Sequence, residues 1–507
     1  MGFPAEGQKE TSEPKRRRIC VQRSQKTIDS YLEEDRTESE DTEGATSMHV
    51  AQSAEESTYD DLVSRVIDDG NIEEALKRVV GNRGAPGVDG MTVQELESWI
   101  HTNKDELKTL IKEGRYLPVP VRRKEIPKPS GGVRKLGIPT ARDRLVQQMV
   151  AQVLMPIYDP TFSESSYGFR PGRSAQDAIL KVKEYCDEGY TFGVGLDLEK
   201  FFDTLNQRHL MNILRERIRD RTLIQLIKRF LRAGVVLPNG ITEATEAGSP
   251  QGGPLSPLLS NIYLDALDKE LEARGLRFCR YADDSLILVK SPRAAERVCN
   301  TVTRFLEDEL LLKVNKSKTE VGPVAGMKFL GFRLTRHKGR TYIGPHPESV
   351  RKFRKKVRGI TKRNRGIGLP RLIQELRTYL RGWIGYFGIS DGKSLFEDLD
   401  GWIRRRLRQY VFKQWKRSRT RVKNLVRLSP AYKKANWANA VESTWMREIR
   451  RVSSNRSYWK ASKYHIMNRI LTVQWMREQG MVFLSDLWKD VGKAFPTAVY
   501  RTVRTVV

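Results

Sequence analysis

Three aspartates carry the strongest chemical signal in the sequence. Asp283 and Asp284 stand side by side in Arg277-Phe-Cys-Arg-Tyr-Ala-Asp-Asp-Ser-Leu-Ile-Leu-Val289. Upstream, Asp197 is embedded among Val194, Leu196 and Leu198. A carboxylate in an apolar run is costly unless it is paired or binds a metal. Three carboxylates brought together would repel, and their pKa values would rise. Two Mg²⁺ ions, hard cations that prefer oxygen ligands, would relieve that repulsion. Two metals so held suit an in-line phosphoryl transfer, one activating the attacking oxygen and one stabilising the leaving oxygen. Adjacent aspartates alone are common turn formers, and it is Asp197 that makes the pair a candidate site.

The elements that must position them can be read from the pattern. Apolar residues on both sides of Ala282-Asp283-Asp284 predict a β-hairpin with the carboxylates at its tip. Thr191 to Leu205 predicts a strand running into a helix, with Asp197 near the strand's end. Leu255, Leu258, Leu259, Ile262, Tyr263 and Ala266 recur at helical spacing, as do Val298, Val302, Phe305, Leu306 and Leu310. These stripes predict two core helices packed on the sheet. The proline-punctuated stretch from Leu117 to Pro139 predicts short strands and turns. Beyond residue 351 the pattern is helical. The glycine-rich loop Gly81-Asn-Arg-Gly-Ala-Pro-Gly-Val-Asp-Gly90 fits neither a Walker loop nor a dinucleotide fingerprint.

Charge is distributed unevenly over the 507 residues, whose net is +29. Residues 1–60 hold 14 acidic and 8 basic residues and few aromatics, the composition of a disordered tail. Residues 61–350 hold 45 basic and 38 acidic residues, an ordinary balance for an enzyme. Residues 351–460 hold 31 basic and 7 acidic residues, so a polyanion-binding footprint belongs there. Trp383, Trp402, Trp415, Trp437, Trp445, Trp459, Trp475 and Trp488 are interleaved with those arginines. They read mostly as helical core, with base stacking open to some of them. Four scattered cysteines without a CxxC pair exclude a zinc ribbon or a disulfide scaffold and suit a reducing cytosol. No run of about 18 apolar residues is present, so no membrane span is expected.

Tyr281-Ala-Asp-Asp284 together with Asp197 and Phe202 resembles the palm of reverse transcriptases. Further ordered blocks narrow the resemblance to the group II intron-encoded class of reverse transcriptase and maturase. They are Asn82-Arg-Gly-Ala-Pro-Gly-Val-Asp-Gly90, Ile126-Pro-Lys-Pro-Ser-Gly-Gly-Val-Arg-Lys-Leu-Gly-Ile-Pro139, Tyr167-Gly-Phe-Arg-Pro-Gly-Arg-Ser174, Gly248-Ser-Pro-Gln-Gly-Gly-Pro-Leu-Ser-Pro-Leu-Leu-Ser-Asn261, Asn315-Lys-Ser-Lys-Thr319 and Phe329-Leu-Gly-Phe332. The resemblance spans roughly residues 70–490. It implies an α+β right-hand polymerase: an N-terminal extension over 59–115 after the tail of 1–58, fingers and palm over 116–345, a helical thumb and maturase domain over 346–490, and a tail over 491–507.

The resemblance also assigns roles. Asp197, Asp283 and Asp284 would hold the two Mg²⁺ ions, with the Leu198 carbonyl completing one shell. Lys128 and Arg134 would clamp the incoming dNTP, and Gln251 would contact nucleotide and template. Phe202 would fill the space of a ribose 2′-OH while Phe201 packs. Lys318 would protonate the pyrophosphate leaving group. Leu380-Arg-Gly-Trp-Ile-Gly-Tyr-Phe387 and Trp402-Ile-Arg-Arg-Arg-Leu-Arg408 resemble the thumb and maturase domain, where Arg404, Arg405, Arg406, Arg408, Lys413 and Lys416 would contact RNA phosphates. The implied partners are group II intron RNA, an RNA template with a DNA primer, and target DNA.

The implied function is RNA-directed DNA polymerisation with splicing assistance and retrohoming. Alternatives are a splicing-only maturase, or the same polymerase domesticated for repair or defence. Intact Asp197, Asp283, Asp284, Lys128 and Gln251 speak against a decayed polymerase, and Ala282 gives no sign of domestication. Six scattered histidines and four cysteines cannot build the family's endonuclease, so priming is expected from existing 3′ ends. A cytoplasmic, nucleoid-associated protein is expected. In the tail, Lys15-Arg-Arg-Arg18 reads as solvated charge or a nuclear signal, and Gln25-Lys-Thr-Ile-Asp-Ser-Tyr-Leu32 resembles a sliding-clamp peptide.

Overall fold

A computed structural model describes residues 60–127, 133–245, 247–249, 252–429 and 444–493. The tail with its nuclear-signal and clamp readings, Lys128, Gln251 and Trp437 lie outside the described residues. The chain divides into Met1–Glu56 and Ser57–Val507, and everything below concerns the second unit.

Among the described residues ten strands form three sheets. In the first, β1 (Val121–Pro127) pairs antiparallel with β2 (Val133–Ile138). Two-residue strands later in the chain extend it: β4 (Val235–Val236) joins β1 in parallel and β5 (Thr242–Glu243) joins β4. The palm sheet has the order β6-β7-β3-β8, from β3 (Phe192–Leu196), β6 (Arg277–Tyr281), β7 (Asp284–Val289) and β8 (Glu320–Pro323), all antiparallel. The third sheet is the hairpin of β9 (Phe332–His337) and β10 (Arg340–Pro345). The expected α+β polymerase architecture is what is observed, with a helical region following from Pro347.

The palm sheet is shared between two apolar cores, because side chains alternate across a strand. Ile287, Val289 and Phe278 face one core with Val194 and Leu196. Leu286, Leu288 and Cys279 face the other. The first core holds the N-terminal helices and both palm helices foreseen from their stripes, Ser256–Ala273 and Pro292–Asp308. The second holds the helix Leu369–Phe387 and the helices after it. A cut near residue 345 therefore crosses a continuous core. Phe332 shows how the crossing works: it is fully buried and packs on Tyr386 and Phe387 at ring distances of 5.4 and 4.8 Å.

The glycine-rich loop is a packing element. Arg122 and Arg144 donate to the carbonyls of Pro86 and Ala85 at 2.6 and 2.9 Å, tying the loop to β1 and to the helix Ala141–Tyr158. Among the described residues no helix is long and apolar enough to cross a membrane.

Candidate active site on the palm sheet

Strands β6 and β7 are joined by a two-residue turn, Ala282-Asp283, with Tyr281 paired to Asp284 across it. The hairpin therefore places Asp283 in the turn and Asp284 at the first position of β7, as the apolar flanks predict. The register of β3 on β7 ends at Leu196 opposite Ser285. One residue further, the same register sets Asp197 beside Asp284. Asn315 N–H donates to the Asp197 carbonyl at 2.8 Å, and Glu199 N–H to the Lys313 carbonyl at 2.8 Å. This bridge brackets Leu198 without consuming the Leu198 carbonyl.

Crowding shows in the protonation of Asp283 and Asp284. Asp284 is pushed up to about 6, first by loss of hydration and then by the charges of Asp283 and Asp197. Its residue surface is open to water. Asp283 also rises, chiefly through desolvation and then through Asp197, while Arg134 and Lys318 oppose the rise. The Lys318 ammonium sits 2.9 Å from Asp197 Oδ2. The charged fingers residue Arg134, on β2, thus comes within electrostatic reach of the palm.

Among the described residues no three His, Cys, Asp or Glu side chains are grouped closely enough to hold an ion on their own. The donor set still fits Mg²⁺. It is all oxygen, and Mg²⁺ is held by one or two carboxylates plus water and substrate phosphates more often than by an all-protein cage. Mutual repulsion among Asp197, Asp283 and Asp284 is the unbalanced charge that such an ion would offset.

Phe201 and Phe202 divide their labour. Phe201 is 2% exposed in the first core, whereas Phe202 is half-buried at its edge, with the rings 5.2 Å apart and edge-on. Lys200, in the left-handed region at φ 49°, turns the chain between Asp197 and these rings. The Gly248-Ser249 backbone closes on the same turn: Ser249 N–H donates to the Phe202 carbonyl and Gly248 N–H to the Leu205 carbonyl, both at 2.7 Å. A Cβ on Gly248 would lie 2.5 Å from the Phe202 carbonyl oxygen, so glycine is required there.

Sequence reasoning missed the support behind the turn. Arg280, 1% exposed, forms a buried ion pair with Asp268, 0% exposed, on the helix Ser256–Ala273. One signal could have found it. Asp268 falls on the buried stripe of Leu264, Leu267 and Leu271, and a carboxylate there requires a partner. Tyr386, from the helical region, and Lys328 also reach Asp284 electrostatically.

The basic residues beyond 400 do not form one surface. Arg408 is buried at 6% exposure and donates Nε–H to the Leu471 carbonyl at 3.2 Å. Burial pulls it down to about 10. Arg406 donates to the hydroxyl and carbonyl of Thr361 at 2.9 and 3.2 Å. Arg404 lies over Phe483 and Arg405 over Trp459. Lys413 and Lys416 are exposed. Arg408 is thus turned inward, while Arg406 is half-buried like Arg404 and Arg405 and spends part of its fork on Thr361. Trp383 is buried and Trp459, at 41% exposure, is open to solvent.

Comparison with known proteins agrees with this anatomy. Residues 126–334 match the reverse transcriptase (RNA-dependent DNA polymerase) family, and residues 350–429 match the group II intron maturase-specific domain. The chain belongs to the family of group II intron-encoded reverse transcriptase and maturase proteins. Protein YkfC of Escherichia coli (strain K12) is 36% identical over 310 residues, covering 53% of this chain and 81% of YkfC. The group II intron-encoded protein LtrA of Lactococcus lactis subsp. cremoris is 36% identical over 213 residues, 42% of this chain and 35% of LtrA. A putative COX1/OXI3 intron 2 protein of Saccharomyces cerevisiae is 34% identical over 271 residues, 42% of this chain and 32% of that protein. The chain thus spans about a third of the length of the last two relatives.

Proposed function

We propose that the protein is an RNA-directed DNA polymerase that also binds a group II intron RNA to assist splicing and retrohoming. The observation that carries this reading is the convergence of Asp197, Asp283 and Asp284 at one end of the palm sheet, with Arg134 and Lys318 in electrostatic reach. In the reaction the primer 3′ oxygen bonds to the α-phosphorus of a dNTP, and the bond to the β-phosphate oxygen breaks. The three carboxylates and the Leu198 carbonyl would hold two Mg²⁺ ions, which when bound would supply Lewis-acid stabilisation of the attacking and leaving oxygens.

The remaining roles belong to side chains. Arg134 offsets charge on the triphosphate, joined in this reading by Lys128. The half-buried Phe202 ring limits the space beside the sugar, favouring deoxynucleotides, and Gln251 follows two residues after Ser249, which is bonded to Phe202 itself. The Lys318 ammonium lies 2.9 Å from Asp197 Oδ2. From there it would donate a proton to the pyrophosphate leaving group.

The RNA-binding face comprises Arg404, Arg405, Lys413 and Lys416, with Trp459 as a stacking surface. The test is primer extension on an RNA template with Mg²⁺, run beside filter binding of a group II intron RNA. Extension by the wild type that is lost in Asp283→Ala, with RNA binding retained, is the expected result. Equal extension by both would refute the assignment.

A further inference from the structure

The buried arginine behind the turn takes no part in the steps above. Arginine is rarely sealed from water, and an unpaired buried charge is strongly destabilising. Here every guanidinium N–H finds an acceptor. Nε–H goes to Asp268 Oδ1 at 2.7 Å. One terminal nitrogen donates to Asn261 Oδ1 at 3.0 Å and to the Ala282 carbonyl at 3.1 Å. The other donates to Ser166 Oγ at 2.8 Å and to Asp268 Oδ2.

The surroundings tighten this anchor. Asn261 donates to the Gly168 carbonyl at 2.8 Å. Backbone bonds of 2.9 Å join Arg280 to Ser165 and Tyr167. A Cβ on Gly168 would meet the Ala282 nitrogen at 2.3 Å, so the 165–168 backbone lies directly against the turn.

The turn adopts one of two closely related geometries. Of its central residues only Ala282 has a positive φ, 58°. Positive φ at the first central position alone is the II′ pattern, and positive φ at both is I′. The two differ by a flip of the peptide between Ala282 and Asp283. That peptide's carbonyl is the one Arg280 holds, and its nitrogen belongs to Asp283.

We propose that the Arg280–Asp268 pair is a positioning device that locks the Ala282–Asp283 peptide in one orientation and thereby fixes where the Asp283 carboxylate stands. The inference rests on the polymerase reading for its consequence in catalysis, but its effect on the turn does not depend on that reading. Arg280 touches no reacting atom. It acts through the carbonyl of Ala282, so a charge-preserving lysine, which lacks the planar fork, cannot replace it.

The decisive variant is Arg280→Met with Asp268→Leu. Exchanging a buried ion pair for apolar residues often preserves or raises stability, while the tie to the Ala282 carbonyl is lost. The expected result is a folded protein with a melting temperature below that of the wild type, because Asn261, Ser166 and the Ala282 carbonyl lose a buried donor. Its Mg²⁺ affinity, read by calorimetry on the full chain without substrates, falls about 10–100-fold, the scale of a lost outer-shell partner. Its kcat falls on the order of 10²-fold while KM for the primer–template changes little. Should this variant fail to fold, Arg280→Lys is read in the same two assays with the same expectation. Wild-type Mg²⁺ affinity and kcat in a folded variant would overturn the proposal and leave Arg280 a packing residue. An inactive wild type would count against the polymerase reading alone, because the calorimetric comparison still decides the role of Arg280.

Discussion

The palm turn and the helical region beyond residue 400 both crowd like charges, and they handle the crowding differently. In the palm, three carboxylates meet with Arg134, Lys318 and Lys328 opposing them, and Asp284 is still pushed up to about 6. In the helical region cations are dispersed onto rings and carbonyls. Arg421 lies 4.4 Å from the Phe412 ring centre and donates to the Ser453, Asn455 and Lys416 carbonyls. Tyr458 alone lies under Arg363, Lys413 and Arg421. Where crowding is left unrelieved, a ligand of opposite charge has something to gain. Where it is absorbed internally, the basic count overstates the binding surface. The palm is thus a site defined by tension, and the helical region a surface defined by what remains after packing.

The hardest test of the contrast is removal of one crowded carboxylate. Asp283→Ala should lower extension by at least about 10²–10³-fold, the scale of losing one preorganised electrostatic contact. Affinity for intron RNA should stay within about twofold, since each lost phosphate contact, not palm charge, sets that term. Single-turnover extension and filter binding on the same preparations read both. A matching fall in RNA affinity would mean the two regions are not separate.

Next in size is Phe202→Ala. Removing a half-buried ring beside the turn should raise ribonucleotide relative to deoxynucleotide incorporation by about 10–10²-fold, the range available to a steric pocket. Competitive incorporation of rNTP against dNTP measures the ratio. An unchanged ratio would make Phe202 a packing residue like Phe201.

A smaller, graded effect follows from pH. The folded pKa of Asp284 lies above its unfolded value, so its protonated form is favoured in the fold. Any stability from this group is present below about pH 4 and is lost as pH rises through about 6. Mg²⁺ binding has the opposite dependence, because the ligand must be deprotonated. Mg²⁺ affinity measured by calorimetry should weaken by up to about tenfold per unit below pH 6 and level off above it. Asp284→Asn should flatten that slope, and a persisting slope would assign the proton elsewhere.

The difference between the regions also explains what the sequence could disclose. The hairpin tip was legible because two aspartates interrupt apolar strands, a local signal. Asp197 was legible for the same reason. The role of Arg280 was not, since it depends on Asp268, Asn261 and Ser166, which meet only in the folded palm. The inward turn of Arg408 was hidden by helix phase. Along the helix Lys393–Gln414, Arg408 shares a buried turn with Leu407, Val411 and Phe412, while Arg405, three residues before, lies at the edge. A run of arginines looks uniform in sequence although its members point around the whole helix.

That phase gives the smallest and most specific prediction. Arg405 and Arg408 lie on one helix, within a turn of each other, and carry the same charge. Arg405 is half-buried over the exposed Trp459, with Lys463 on the same ring at 5.0 Å, so its charge faces outward. Arg408 is sealed and spends its Nε–H on the Leu471 carbonyl. Arg405→Ala should therefore reduce the slope of log affinity against log salt by about 0.7–0.9, or roughly fivefold in affinity at 0.1 M salt. Arg408→Ala should leave that slope unchanged, yet lower the melting temperature, because it opens a cavity and strips a buried carbonyl of its donor. Trp459→Ala separates stacking from charge: affinity for RNA with unpaired bases should fall while the slope holds. A salt titration of RNA binding over the three variants, beside thermal melts, reads all of this. Equal slope changes for Arg405 and Arg408 would show that the helix turns when RNA binds, and that packing does not decide which cations the polyanion meets.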